Sequence, residues 1–420
     1  MKILGLVTEY NPFHNGHLYH LNKSKEATGS THTIAVMSGN FLQRGEPALI
    51  HKWARAEMAV RCGVDLVIEL PTIYACATAE FFALGSVSLL NELNSVNSIC
   101  FGSESGNLKY LNDIAHIIVK SPKDYNEKLK NFLNEGKSFP ASRSLAIIEH
   151  LKSNNNLHEN EILEIEKIIK SPNNILAIEY LKALIRLDSP ITPYTITRIK
   201  AGYHSLSLDE SIASATAIRE HINKYNSLDK IKSVMPEASF EILNNLFKED
   251  LGPVSTNDLS QSIMAILRRE DPSNLKRFFD VVEGLENKLH SCSLKSDSLE
   301  DLYTCVKSKR YTATRIQRIC MHILLNLTKD MAVDYGQAPP PYARILAFNN
   351  KGREILRLCD KQSNIPLINK VSLFKPESLI QQELLKLDIK ATNIYSLFIK
   401  NKKYRNQQLD YLINPKYVNL

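Results

Sequence analysis

The sequence predicts an α/β fold: a Rossmann-like parallel-sheet domain followed by a mainly helical C-terminal region. Three observations carry this. Short apolar runs alternate with helix-like segments over the first hundred residues, the pattern of βαβ units. Past about residue 225 helical periodicity continues without clear strands, until Ala338-Pro339-Pro340-Pro341 makes a rigid break. The chain has 420 residues, too many for one comfortable core, so two or three domains are expected.

Residues 3–7 are a short apolar run that reads as a buried strand, followed by a loop at Asn11-Pro12 and a helix over about 17–25. Residues 33–37 give a second strand closed by Ser38-Gly39-Asn40, and 52–62 a helix. A third strand over 65–70 is stopped by Pro71, a long apolar helix covers 77–93, and a fourth strand 98–102. Residues 108–187 read as mostly helical and polar, 193–199 as a fifth strand, and 214–222 as a helix with a serine N-cap. Residues 344–348 read as a strand before a helix at 352–358. The expected division is an α/β domain over 1–225, a helical domain over 226–335 and a small C-terminal α/β or helical region over 336–420. Right-handed crossovers put the strand C-termini, and therefore the site, on one edge of the sheet.

Composition bounds the function. Hydrophobic residues make up 44% and charged residues 23%, ordinary values for a soluble globular protein. The net charge of +7 permits a nucleic-acid partner without requiring one. No stretch approaches the roughly 18 apolar residues of a membrane span, and the N-terminus is too short for a signal peptide, so a cytoplasmic location with no membrane partner is expected. No obligate protein partner is evident. Cys62, Cys76, Cys100, Cys292, Cys305, Cys320 and Cys359 are odd in number and scattered, with no C-x-x-C pair. Neither a disulfide framework nor a zinc site is expected, and no protein-borne metal; the cysteines read as small core residues in a reducing compartment.

The strongest chemical signal is Asn11-Pro12-Phe13-His14-Asn15-Gly16-His17, directly after the first strand. A loop leading into a helix offers unpaired N–H groups and a positive dipole end to a triphosphate. Gly16 lets a phosphate approach the backbone. His14 and His17, three apart, share one face of the first turn and can donate to phosphate oxygens as charge develops on phosphorus. A second element is Ser214-Ala215-Thr216-Ala217-Ile218-Arg219, where Ser214, Thr216 and Arg219 can clamp the β- and γ-phosphates. Arg44, Lys52 and Arg55 are unranked candidates for holding a small carboxylate against the α-phosphate. Lys307, Lys309, Arg310, Arg315 and Arg318 crowd one segment around Tyr311, and Lys400, Lys402, Lys403 and Arg405 another beside Tyr404. Such clusters suit an RNA backbone, with tyrosine available to stack on a base.

The H-x-G-H and S-x-T-x-x-R pair resembles the two signatures of the class I nucleotidyltransferase superfamily. Between and around them lie Ser38-Gly39-Asn40-Phe41-Leu42-Gln43-Arg44-Gly45-Glu46-Pro47-Ala48, Lys52-Trp53-Ala54-Arg55, Phe101-Gly102-Ser103-Glu104, Pro172-Asn173-Asn174 and Ala201-Gly202-Tyr203-His204. Together these resemble the bacterial tRNA(Met) cytidine acetate ligase family, with looser matches at Arg310-Tyr311-Thr312 and Pro341-Tyr342-Ala343-Arg344. The resemblance implies an enzyme that forms acetyl-adenylate from ATP and acetate and passes the acetyl group to N4 of the wobble cytidine of elongator tRNA(Met). It implies His14 and His17 as catalytic residues. It implies ATP-binding positions at Val7, Thr8, Glu9, Tyr10, Asn11, Pro12, Phe13, His14, Asn15, Gly16, His17, Leu18, Tyr19 and His20, and at Gly102, Asn173 and Arg198. Lys309, Arg310, Arg315 and Arg318 are the expected tRNA contacts. Mg²⁺ is expected with the triphosphate, held mainly by phosphate oxygens. Two readings stay open beside this one: a small-molecule adenylyltransferase with the same two motifs, and a non-enzymatic RNA-binding factor. An aminoacyl-tRNA synthetase would pair H-x-G-H with a K-M-S-K-S loop, and no such string occurs.

Overall fold

A computed structural model describes all residues except 156–157, 199–211, 309, 337, 406–407 and 420; of 154 and 155 it gives the backbone alone. Five parallel strands form the centre of the sheet: β1 (Ile3–Thr8), β2 (His32–Ser38), β3 (Leu66–Leu70), β4 (Ser98–Ser103) and β5 (Thr192–Thr197). Their order is β5-β4-β1-β2-β3. The chain winds outward from β1 through β2 to β3, then returns to place β4 on β1's other side. The reversal between β1 and β4 is the switch point where open α/β sheets leave a crevice beyond the strand C-termini. Near-continuous apolar runs suit strands covered on both faces, and β2 and β3 are buried at every position.

Helix α1 (Asn15–Thr28) joins β1 to β2 and α2 (Lys52–Arg61) joins β2 to β3, both covering one face; α3 (Ala79–Glu92) and α4 (Pro172–Arg186) cover the other. Four further helices fill 108–170 as the sequence suggests. Helix α5 (Ala215–Tyr225) begins at an N-cap formed by Ser214, whose hydroxyl accepts from the Ala217 N–H at 3.1 Å. The helical segment beyond 230 has its own apolar core, built on Leu259, Ile263, Leu289, Leu302 and Ile316 and including α6 (Ala313–Leu325).

The boundary expected at 336 does not divide the sheet. Strand β6 (Ala343–Phe348) lies antiparallel on β3, and β7 (Leu367–Ile368) and β8 (Lys416–Tyr417) pair with β6, giving eight strands in one sheet. Helix α7 (Asn350–Gln362) docks because Gly352 has no side chain: a Cβ there would stand 2.0 Å from the Asp65 carbonyl oxygen. Helix α8 (Leu379–Ser396) contributes Ala391 and Tyr395 to the helical core. A buried charge network completes the attachment. Lys52 Nζ lies 2.8 Å from both Glu69 and Asp410, and Arg344 bonds the same two carboxylates. The pattern was local enough to reveal a strand at 344–348 in sequence, but its partner strand, Leu66–Leu70, is far away along the chain, beyond the reach of periodicity.

A second difference concerns the cysteines. Cys292 and Cys305 form a disulfide, one bond where no disulfide framework is expected and most cysteines read as reduced core residues; the consecutive helices Leu285–Ser293 and Leu299–Val306 bring their Cα atoms to 5.8 Å. The remaining five are free, and four of them are buried core residues. Among the described residues no helix is long and apolar enough to cross a membrane.

Candidate active site

The site is assembled at the crevice between β1 and β4, and the histidine loop organises itself. His14 is the N-cap of α1: its Nδ1 accepts from the Gly16 N–H at 3.0 Å. His17 returns the favour in a capping box, its Nδ1 accepting from the His14 N–H at 3.3 Å. Accepting through Nδ1 fixes the tautomer, so each neutral ring carries its donor proton on Nε2. The two rings stack with centroids 3.8 Å apart, and His17 also meets Tyr10 edge-on at 5.0 Å. Burial, with Arg198 and Arg219 adding repulsion, lowers the His14 pKa to about 3. Burial and the His14 ring hold His17 well below its ordinary value, and burial with Arg198 brings His20 to about 4. These rings are therefore neutral N–H donors across the physiological range.

Gly16 has a sharper reason than phosphate access alone. A Cβ there would sit 2.8 Å from His14 Cε1, so the bare backbone is what lets the His14 ring fold over the helix start. Ile212 Cγ2 closes on the same point, 3.6 Å from that Cβ position, which brings the approach to α5 against the histidine loop. Arg219 then crosses from α5, donating to the Asn11 carbonyl at 3.0 Å and to Glu46 Oε1 at 2.7 Å. The two sequence signatures, about 200 residues apart, are thus in direct contact. Ser214 and Thr216 are exposed at the start of this helix, with the Ser214 oxygen engaged as the cap.

The other rim is equally connected. At Gly102 on β4 a Cβ would meet Arg198 Cγ at 3.0 Å and His20 Cδ2 at 3.8 Å. Arg198 donates to Asn173 Oδ1 at 3.0 Å, and Asn173 Nδ2 donates to Glu104 Oε1 at 2.7 Å. Glu104 also accepts from the Asn173 and Asn174 N–H groups, capping α4 with a negative charge at its positive end. So Gly102, Asn173, Arg198 and His20 form one shelf. Beneath the histidines, Asn11 Oδ1 accepts from the Leu49 N–H at 2.7 Å, and Glu9 accepts from the Gln43 N–H at 2.8 Å. Burial, together with Glu46, raises the Glu9 pKa despite the Gln43 bond. Val7 and Thr8 end β1; Pro12 and Phe13 complete the loop; Asn15 bonds the Ser233 carbonyl; Leu18 and Tyr19 continue α1.

Of the three candidate carboxylate-holding cations, the structure gives two other occupations. Lys52 is fully buried in the network with Glu69 and Asp410. Arg55 is fully buried and donates to the carbonyls of Glu9, Ser38, Gly39 and Ile50, tying the strand ends together. Arg44 alone is exposed, has no ion-pair partner among the described residues, and exerts its charge on Glu9.

The first basic cluster also differs from expectation. Arg315 donates to the Asp280 carbonyl at 3.0 Å, Arg318 faces the Asp280 carboxylate at 3.8 Å, and both are largely covered. Tyr311 is buried beneath Arg310 and Arg315 and cannot offer a ring face to a base. Arg310 and Lys307 remain exposed, and Lys309 lies outside the described residues, as does the Ala201–His204 block. Sequence reading missed Glu46 and Glu104 as organisers of the site. Both stood inside quoted motif blocks, but a carboxylate that orients an arginine or caps a helix leaves no spacing signal.

The comparisons bear directly on this site. A family model described as HIGH Nucleotidyl Transferase matches residues 1–410. The chain is 50% identical over 422 aligned residues to the tRNA(Met) cytidine acetate ligase of Alkaliphilus metalliredigens, covering 99% of both. The Clostridium perfringens protein of the same name is 46% identical, again with 99% of each chain covered. The chain belongs to the tRNA(Met) cytidine acetate ligase family of HIGH nucleotidyl transferases. A crystal structure of Thermotoga maritima TmcAL bound with alpha-thio ATP superposes with a TM-score of 0.91 at 37% identity over the whole of both chains. The apo form of that protein gives 0.93. The fold described here is therefore shared with the Thermotoga protein over the whole length of both chains.

Proposed function

We propose that this protein activates acetate with ATP as acetyl-adenylate and transfers the acetyl group to N4 of the wobble cytidine of elongator tRNA(Met), in the cytoplasm. The observation that carries the reading is the pair of neutral Nε2–H donors at His14 and His17 beside Arg219, in a chain that matches 99% of a relative named for that ligation. Acetate oxygen attacks the α-phosphorus and the bond to the β-phosphate oxygen breaks, releasing diphosphate. The cytidine N4 then attacks the acetyl carbonyl carbon, loses a proton to solvent, and AMP leaves with the anhydride electron pair.

Each residue has a place in this scheme. His14 and His17 donate to phosphate oxygens most strongly as charge builds in the transition state. Arg219, with Ser214 and Thr216, holds the departing diphosphate. Gly102, Asn173, Arg198 and His20 form the shelf for the adenosine, and the Val7–His20 turn cradles the triphosphate. Arg44 is the cation available to acetate. Arg310, the exposed arginine of the first cluster, contributes to the tRNA side. Among the described residues no three acidic, histidine or cysteine side chains cluster as a metal cage. A Mg²⁺ ion brought by the nucleotide would be held mainly by phosphate oxygens and would neutralise their charge.

The test is direct. With ATP and labelled acetate but no tRNA, hydroxylamine should trap acetyl-hydroxamate in step with AMP release. Acetate-independent transfer of AMP to a small molecule would instead support an adenylyltransferase.

A further inference from the structure

The second basic segment differs in kind from the first. Helix α8 presents two stripes. Its inner stripe holds the base of the active-site loops: Asp388 accepts from the Thr72 N–H at 2.7 Å, Thr392 accepts from Asn40 at 3.3 Å, and Tyr395 donates to the Ala48 carbonyl at 2.8 Å. Its outer stripe, Lys386, Lys390, Asn393 and Leu397, follows the three-to-four spacing of one helix face. With Arg405 and Tyr411 it lines a groove of about 500 Å³.

The groove carries one sign of charge. Of the lining cations, Lys390 is exposed with no carboxylate partner among the described residues and Lys386 pairs with the neighbouring Glu383; Lys400, Lys402 and Lys403, in the segment that leads to Arg405 and outside the lining, are also exposed and without a carboxylate partner among those residues. From 384 to 405 the one acidic residue is Asp388, buried on the inner stripe. Tyr411 is 43% exposed and Leu397 55%, giving an aromatic and an apolar surface between the cations. Cations spaced along a groove with an open aromatic face match an RNA strand: phosphates on lysine and arginine, an unpaired base on the ring. The groove backs onto residues 40–48, one helix diameter (about 10 Å) from loops that follow the C-terminal ends of β2 and β3.

We propose that this groove is a docking surface for the backbone of the tRNA substrate, engaging it through Lys386, Lys390 and Arg405 while Tyr411 stacks on a base. The inference rests on the tRNA reading above. It is tested by measuring tRNA affinity against salt for the full-length wild type and for Lys386→Gln/Lys390→Gln, alongside acetate-dependent ATP–diphosphate exchange. The wild type should show a steep salt dependence, and the double variant a slope of log K against log salt flatter by about 2, with exchange retained. Tyr411→Ala should weaken binding without flattening the slope. An unchanged slope and affinity in the double variant, beside a wild type that binds tRNA, would overturn the groove assignment. A wild type that fails to bind tRNA at all would instead overturn the tRNA reading on which it rests.

Discussion

The histidine loop and the helix Ala313–Leu325 are both short blocks dense in functional side chains, yet they are built in opposite ways. In the loop, each ring is held by a backbone N–H two or three residues away. In the helix, Arg315 and Arg318 take their orientation from Asp280, which arrives from a different turn of the chain. A group set by local capping keeps its Nε2 donor whatever surrounds it. A cation whose partner is distant faces solvent only if that partner is absent. Lys390, Lys402 and Lys403, which lack such a partner among the described residues, retain the charge that the first cluster has turned inward.

The largest effect that could break this contrast is at His17. His17→Ala should lower the rate of acetate-dependent ATP–diphosphate exchange by 10²–10³, the usual cost of removing a preorganised transition-state donor. A change within twofold would remove His17 from the chemistry. Arg318→Gln should cost roughly 1–3 kcal/mol of unfolding free energy in denaturant titration, because it strands the Asp280 carboxylate. Its tRNA salt slope should match wild type; a slope flatter by about 0.7–0.9, the loss of one phosphate contact, would return Arg318 to the RNA surface.

The pH dependence sharpens the same comparison more gently. His14 titrates near 3 and His20 near 4 in the folded protein, against an ordinary 6.5 when unfolded. Folded rings stay neutral while unfolded ones take up protons below 6.5, so stability falls as pH drops from about 6.5 toward 4. Each histidine contributes at most about 1.4 kcal/mol per pH unit. Thermal unfolding followed from pH 7 to pH 5 should show this fall, and His14→Gln should flatten it. The exchange rate should show no limb near 6.5; such a limb would mean that one of these rings acts as a charged group.

Much of this was legible in the sequence because its signals are local. Strand and helix order, the serine cap of α5 and the histidine loop each depend on neighbours within one turn, and all appear where expected. Gly102, Asn173 and Arg198 converge because β4, α4 and β5 deliver them to one sheet edge, as the topology requires. What stayed hidden depends on long-range pairing. Lys52 reads as a cation near the site until Asp410 and Glu69 are seen to enclose it. The C-terminal strands read as a separate region until β6 pairs with β3. The Cys292–Cys305 bond needs the helix hairpin to bring its ends together.

The central claim is that the histidine edge makes an acyl-adenylate for a cytidine. It is tested most directly by acetyl transfer from labelled acetate to elongator tRNA(Met), with ATP, and with the same tRNA carrying uridine at the wobble position. The account predicts ATP-dependent label in the first tRNA and none in the second. Equal labelling of both, or ATP turnover with neither labelled, would contradict it.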